Sequence, residues 1–330
     1  MPRQLMNAQA IAMPVSPPRN LRPFDIRRDL LAVADLVELC FAETLDADGR
    51  LYIRRMRRAA RGGPLLDPPG VGRVDVPMSG YVWVEEDKLV GNLSMVAHRY
   101  RGRQLYLIAN VAVYPEYRRR GIARELTLAA LREIERRGRP ETWLQVDEKN
   151  PAAINLYRGM GFAERMRRTS WRLQPLRDFN TGLTQDVEVR PRRSGDWAAQ
   201  RAWLEGCYPQ DVRWQLPLDV NVLQPGWRGA LERAFSERQL QQWSAQRGNH
   251  LLGVLSWQSS SLETDRLWLA AAPETEDDAI LALAAHAHAR LHLGRELALN
   301  YPSGRAQAAF PRTGFTAART LIWMSYPWKA

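Results

Sequence analysis

Residues 111–123, VAVYPEYRRRGIA, constrain this chain more than any other stretch. An apolar run of strand length, residues 105–113, is stopped by Pro115, which has no N–H to give to a ladder. A helix pattern then opens after Gly121, with Ile122, Leu126, Ala129, Ala130 and Ile134 on one face, and Gly138 with Pro140 ends it. The first turn of a helix leaves its N–H groups without intrahelical partners, and the peptide dipoles add partial positive charge there. A strand that feeds directly into such a turn makes an anion site suited to a diphosphate. Gly121 lacks a Cβ and lets an anion approach the backbone, Ala123 is the next smallest choice, and Arg118, Arg119 and Arg120 add planar donor forks.

A second pattern follows. Residues 143–147 read as a strand, and residues 150–162, NPAAINLYRGMGF, read as a short helix with Asn150 as its cap, Pro151 at its first position and Gly161 at its exit. The first stretch, V-x-P-x-x-R-x-x-G-I-A, resembles the acetyl-CoA signature of the GNAT superfamily of N-acetyltransferases. The second resembles the same family's N-x-x-A-x-x-L-Y-x-x-x-G-F. The resemblance implies an α/β (α+β) fold, a mixed, mostly antiparallel twisted sheet flanked by helices. It also implies transfer of an acetyl group from acetyl-CoA, a co-substrate, to a primary amine on a small molecule or peptide.

Carried over residue by residue, the resemblance puts the pantetheine arm along the backbone of Val111, Ala112 and Val113, with the Val111 N–H facing the thioester oxygen. The diphosphate lies across Arg118, Arg119, Arg120, Gly121, Ile122, Ala123 and Arg124, and Asn150 touches the cofactor. Tyr157 matches the family's general acid, and a phenol with a pKa of about 10 suits the protonation of a thiolate. The chain departs from the family at the general base. Ala109, Asn110 and Gln145 stand where many members have a carboxylate, and none of them takes a proton at neutral pH. Either a water held by Asn110 or Gln145 relays the proton to Asp147, Glu85 or His98, or the acceptor arrives neutral. A non-catalytic acyl-CoA-binding protein is the alternative that these missing carboxylates suggest.

The rest of the first half fits an α/β entry: a strand at 21–26, a helix at 29–41 capped by Asp29, and an arginine-rich helix at 50–61 that includes Arg54, Arg55, Arg57, Arg58 and Arg61. In the family this region borders the acceptor cleft, so its charges either form a solvated face or favour an anionic acceptor. A glycine- and proline-rich loop occupies 62–72, a hairpin 81–97, and one or two closing strands 162–173.

The plan then recurs. A strand at 187–190, a helix at 196–208 and strands at 250–257 and 266–271 echo the first half, and FPRTGF at 310–315 aligns with YRGMGF at 157–162. We therefore expect tandem GNAT folds: a flexible tail at 1–20, an acetyl-CoA-binding unit at 21–175, a linker at 176–185 and a degenerate copy at 186–330, with the two halves able to pack as a pseudo-dimer. Degeneracy is expected because ETEDDA at 274–279 replaces the arginines and glycine, and Phe310 replaces Tyr157. Acidic side chains there repel a diphosphate.

Composition excludes other classes. The two cysteines, Cys40 and Cys207, are too few for a disulfide framework and too far apart for a metal knuckle, and each reads as a small buried hydrophobe. His286, His288 and His292 share one helix without an acidic or cysteine partner, so no metal site is expected. Most of the net charge of +11 lies in the first 180 residues, beside the anion site. With no nucleic-acid-binding signature beside it, the charge does not imply DNA or RNA as a partner. The sequence contains no apolar run of membrane-spanning length, so the expectation is a cytoplasmic protein.

Overall fold

The computed structural model describes residues 18–62, 79–173, 186–216, 218–234, 239–291 and 295–328. Most of the expected tail, the loop beyond Gly62, the linker and His292 lie outside the described residues. In the first half the elements are β1 (Leu21–Pro23), α1 (Ile26–Phe41), α2 (Ala47–Ala60), β2 (Gly80–Glu85), β3 (Lys88–Tyr100), β4 (Arg103–Val113), α3 (Ile122–Arg136), β5 (Glu141–Asp147), α4 (Pro151–Gly159) and β6 (Ala163–Leu173). The second half opens with β7 (Glu188–Pro191) and α5 (Trp197–Cys207), followed by the short helices α6 (Gln210–Arg213), α7 (Val220–Leu223) and α8 (Gly226–Ala234). It continues through β8 (Leu240–Arg247), β9 (His250–Gln258), β10 (Thr264–Ala271), α9 (Glu276–Arg290), β11 (Glu296–Pro302), α10 (Ala309–Arg312) and β12 (Thr316–Tyr326).

The start of α1 differs from expectation. Asp25, in extended conformation, caps the helix by accepting from the Arg27 N–H at 2.9 Å. Asp29 is instead buried and grips Arg22 of β1 through bonds of 2.6 and 2.8 Å, while also accepting the Asp25 N–H. The same device recurs in the second half. Arg190 of β7 holds buried Asp196 at 2.8 and 3.0 Å, and that carboxylate accepts the Arg193 N–H. A fork-on-carboxylate bond is geometrically specific, so its repetition between the first strand and first helix of each half marks a common plan.

Among the described residues the strands form one twelve-stranded sheet, in the order β1-β2-β3-β4-β5-β12-β6-β11-β10-β9-β8-β7. It is mixed and mostly antiparallel, with β4–β5 and β10–β11 as the parallel pairs. The last strand of each half pairs with the other half: β12 lies against β5, and β6 lies against β11. The two exchanged strands pair with each other, and Thr169 and Thr320 share a buried bond of 2.9 Å between them.

Successive residues on β2 point to opposite faces. Val82 joins Leu30, Val33, Val37, Ile53 and Met56 beneath α1 and α2, whereas Trp83 joins Ile122, Leu126, Ile134, Leu144 and Tyr157 beneath α3 and α4. Gly91 permits the close approach of α3, since a Cβ there would meet the Ile122 side chain at 2.9 Å; Gly253 does the same for Ala279 of α9. β8, β11 and β12 were not foreseen. Their residues alternate only partly, because side chains on both faces of this central sheet are covered.

Candidate active site

β4 and β5 begin as a parallel pair, Leu105 opposite Glu141 through Ile108 opposite Leu144, and the pairing stops there. Beyond that point the strands part, which leaves the Val111, Ala112 and Val113 backbone without a ladder partner on the β5 side. The cause is a bulge. On β3, Asn92 pairs with Ala112 and Ser94 with Ala109, so Leu93 alone faces both Asn110 and Val111. Asn110 takes up the extra residue with a φ of 51°. Its carbonyl accepts from Asn92 Nδ2 at 3.0 Å, and its own Nδ2 donates to the Tyr52 hydroxyl at 2.8 Å and to Ser94 Oγ at 3.3 Å. Burial pushes the Tyr52 phenol up to about 12, with the Asn110 bond acting the other way, so the network is neutral at physiological pH.

The chain leaves β4 through a 3-10 turn, Pro115–Tyr117, and reaches α3 at a left-handed Gly121 with a φ of 80°. Glu125 N–H is the first to bond back, to the Gly121 carbonyl at 3.0 Å, so the amides of the preceding turn remain free of intrahelical partners. A Cβ on Gly121 would meet nothing within 4 Å, which leaves the helix end open to a ligand.

The four predicted arginines divide. Arg118 folds back and donates through Nε to the Val113 carbonyl at 3.1 Å, and Arg120 lies 4.9 Å over the Tyr117 ring and reaches Glu85 at 3.5 Å. Arg119 is exposed and, among the described residues, makes no ion pair; Arg124 is exposed beside Glu125. The free amides, the open glycine and these cations fit an anionic diphosphate.

Asn150 caps α4 by accepting the Ala153 N–H at 3.0 Å. This helix directs Tyr157 inward, into the cluster that holds Val113 and against which Val111 packs. Tyr157 meets the Phe162 ring edge-on at 5.9 Å, and burial pushes its phenol well above the usual tyrosine value. It therefore stays protonated at any physiological pH.

Of the three distant base candidates, Glu85 accepts from Trp83 Nε1 at 3.1 Å and sits at the Arg120 end. His98 lies 5.1 Å from Trp214. Asp147 ends β5, and its Oδ1 accepts the Lys149 N–H at 2.9 Å. Gln145 donates to Gln215 at 2.5 Å.

Trp214 and Gln215 belong to the second half, just beyond α6, and Trp214 also approaches Trp143 and Trp323 at 6.2 and 6.4 Å. The face of β5 that bears Trp143 and Gln145 is therefore met by side chains from both halves, which no local pattern in the sequence could have revealed. Arg57 is tied to Asp35 and Glu38, and Arg54 to Glu263, so these α2 arginines are already paired. Cys40 is half-exposed rather than buried, with its thiol 3.5 Å from the Val113 carbonyl.

The second half has the corresponding gap and fills it. β10 and β11 pair from Thr264 opposite Glu296 to Leu267 opposite Leu299, then part, but β10 runs against β9 without a bulge. Buried Tyr208 enters the gap, its hydroxyl taking the Leu269 N–H at 3.4 Å. α9 starts directly after its 3-10 turn, with Glu276, Asp277 and Asp278 in the first turn, and Ala279, aligned in sequence with Ala123, packs on Gly253 as Ile122 packs on Gly91 in the first half. Glu276 turns inward to Tyr301 and Arg305. Phe310 stacks on Trp171 at 4.7 Å. The turn after it repeats that after Tyr157: Phe315 N–H bonds the Phe310 carbonyl at 3.1 Å, as Phe162 N–H bonds Tyr157 at 3.0 Å. Among the described residues no three potential ligands cluster to hold a metal.

Residues 50–162 match the acetyltransferase (GNAT) family. This segment, about a third of the chain, is similar to that family. Over 55 residues the chain is 46% identical to the [ribosomal protein bS18]-alanine N-acetyltransferase of Escherichia coli K12, a match that covers 17% of this chain and 37% of that relative. The chain thus spans about a third of that curated relative's length. Among solved structures, a GCN5-related N-acetyltransferase from Sphaerobacter thermophilus superposes with a TM-score of 0.59 at 14% identity, covering 94% of this chain and 96% of the other. A tandem GNAT protein from the clavulanic acid biosynthesis pathway superposes with a TM-score of 0.50 at 16% identity, covering 94% and 99%. At such identities these two show the shared fold alone, extending over both halves of the chain beyond the matched segment.

Proposed function

We propose that this chain is an acetyl-CoA-dependent N-acetyltransferase acting on a primary amine, with 21–175 as the active unit and 186–330 as a counterpart that packs on it as a pseudo-dimer. One observation carries the reading: the parting of β4 and β5 leaves the Val111–Val113 backbone open beside a glycine-started helix and the buried Tyr157. Acetyl-CoA would supply an activated thioester. The residues that would hold it are Val111, Ala112 and Val113 along the gap, and Arg119, Arg124 and the amides around Gly121, Ile122 and Ala123 at the helix end, with Arg118 and Arg120 shaping the turn.

In this reading the Val111 N–H would donate to the thioester oxygen in the gap, and Tyr157, kept protonated by burial, would give its proton to the leaving thiolate. The second half supplies Trp214 and Gln215 to that face of β5 and, with its own gap filled by Tyr208, has a supporting role. Calorimetry with coenzyme A, followed by thiol release from acetyl-CoA across an amine library, tests the proposal. Saturable heat and acceptor-dependent thiol release are expected; absence of binding ends the reading. Because Asn110 and Gln145 are neutral and already bonded to Tyr52 and Gln215, a non-catalytic acyl-CoA-binding protein is the second reading. Binding without turnover on any amine would favour it.

A further inference from the structure

An open pocket of ≈ 440 Å³ lies on the helix-bearing face opposite α3, where the two exchanged strands meet the α1–α2 connection. Its walls include Glu43, Asp46 and Arg50 from the first half, Ser170 and Arg172 of β6, and Arg319 of β12. The volume is that of a small-molecule site.

The charges in it are unequally satisfied. Arg172, 8% exposed, lies between Asp46 and Glu296, yet its Nε is buried without a hydrogen bond among the described residues. Arg50 donates to the Leu45 carbonyl at 2.8 Å and is otherwise solvated. Arg319 is half-buried, opposite Ser170 in the ladder, and has no ion pair or hydrogen bond among the described residues. The unpaired lining carboxylate, Glu43, is exposed and water satisfies it at little cost. A guanidinium withdrawn from water is not so easily satisfied, and its planar fork matches a carboxylate or phosphate.

The pocket also stands beside the end of β5. Leu321 of β12 pairs with Asp147, the last residue of β5, and Arg319 follows two residues further along the same face, a step of about 7 Å. On that face Trp323 reaches Trp214, and Gln145 reaches Gln215.

We infer that this pocket binds an anionic group, carboxylate or phosphate, through Arg319, and that the amine acceptor carries such a group. The acceptor's identity rests on the acetyltransferase reading; the anion site is tested without it. The full chain is titrated calorimetrically with glutarate and with inorganic phosphate, as wild type, Arg319→Ala and Arg319→Lys. Wild type should bind at least one of them at one site per chain, with affinity at least tenfold weaker in Arg319→Ala and partly restored in Arg319→Lys. Tighter glutarate indicates a carboxylate and tighter phosphate a phosphorylated ligand. No heat with either anion, or equal affinity in Arg319→Ala, overturns the site. Coenzyme A binding serves as the folding control and should be unchanged. Kinetics then compares amines bearing a carboxylate with the corresponding amides. A lower KM for the acid in wild type, lost in Arg319→Ala at constant kcat for the amide, supports the acceptor assignment, and equal KM values refute it. Absence of turnover with every amine, despite anion binding, refutes the acetyltransferase reading and leaves the site standing.

Discussion

At the scale of single residues, the proposed chemistry is tested at two positions, Tyr157 and Gly121, and each has a clean substitution. Tyr157→Phe keeps the ring that packs against Phe162 and removes the proton. It should lower kcat by about a hundredfold, as loss of a general acid does, while calorimetry finds coenzyme A affinity unchanged. Gly121 meets no neighbour with an added Cβ, so Gly121→Ala tests backbone conformation alone. Holding alanine at a φ of 80° should cost about 1–2 kcal/mol in urea unfolding and weaken coenzyme A binding together with it. Both residues were legible in the sequence, since a glycine before a helix and a tyrosine in a capped short helix have local causes. The roles of Asn110 and Tyr52 were not. Their bond joins α2 to β4, and no spacing rule connects residues so far apart in the chain.

At the scale of elements, capping and ion pairing set where each half begins and ends. Asn150→Ala removes the acceptor for the Ala153 N–H and should cost about 1 kcal/mol, read from the thermal or denaturant midpoint. The buried pairs beneath α1 and α5 give a pH dependence. Burial acts to raise the Asp196 carboxyl, but bonds from Arg190, Ser244 and the Arg193 N–H outweigh it and bring it down to about 2. Because the folded pKa lies below the unfolded value, the stabilisation is fully present above the unfolded pKa and is lost as pH falls through the folded one. Stability should therefore decline between about pH 4 and pH 2, and Asp196→Asn should flatten the unfolding midpoint across that window. Asp29, held below the ordinary range despite burial by Arg22 and the Asp25 N–H, acts in the same direction. The Arg-Pro pair at 22–23 recurs at 190–191, but the pairing and burial of Asp29 and Asp196 emerged only from the fold, since the sequence alone points to Asp29 as a helix cap.

For the whole molecule, the exchange of β6 and β12 is the governing feature. A fragment ending at Leu173 leaves β5 and β6 without the strand that lies between them, and open edges of that kind pair with other chains. Expressed alone, it should aggregate or fail to unfold cooperatively, whereas the two halves co-expressed should associate; a monomeric, cooperatively folded fragment would contradict this. On the proposed reading, the two halves also differ in what they bind. Tyr208 fills the second gap, and α9 begins with three carboxylates, so titration should find one coenzyme A per chain.

The amino-acid order alone determined the features with local causes: the strand stopped at Pro115, the helix opened at Gly121, the capped helix carrying Tyr157, and their faint repetition after residue 186. Hydrogen-bond caps, backbone freedom and side-chain periodicity act over a few residues, and a linear reading captures them. Tertiary structure decided which strands lie side by side. It placed β12 between β5 and β6, brought Trp214 and Gln215 over β5, filled one gap with Tyr208, and left Arg319 without an ion partner among the described residues. Those outcomes depend on packing and pairing between segments more than sixty residues apart along the chain, and such energies are set by shape and solvent exclusion rather than by spacing in the sequence.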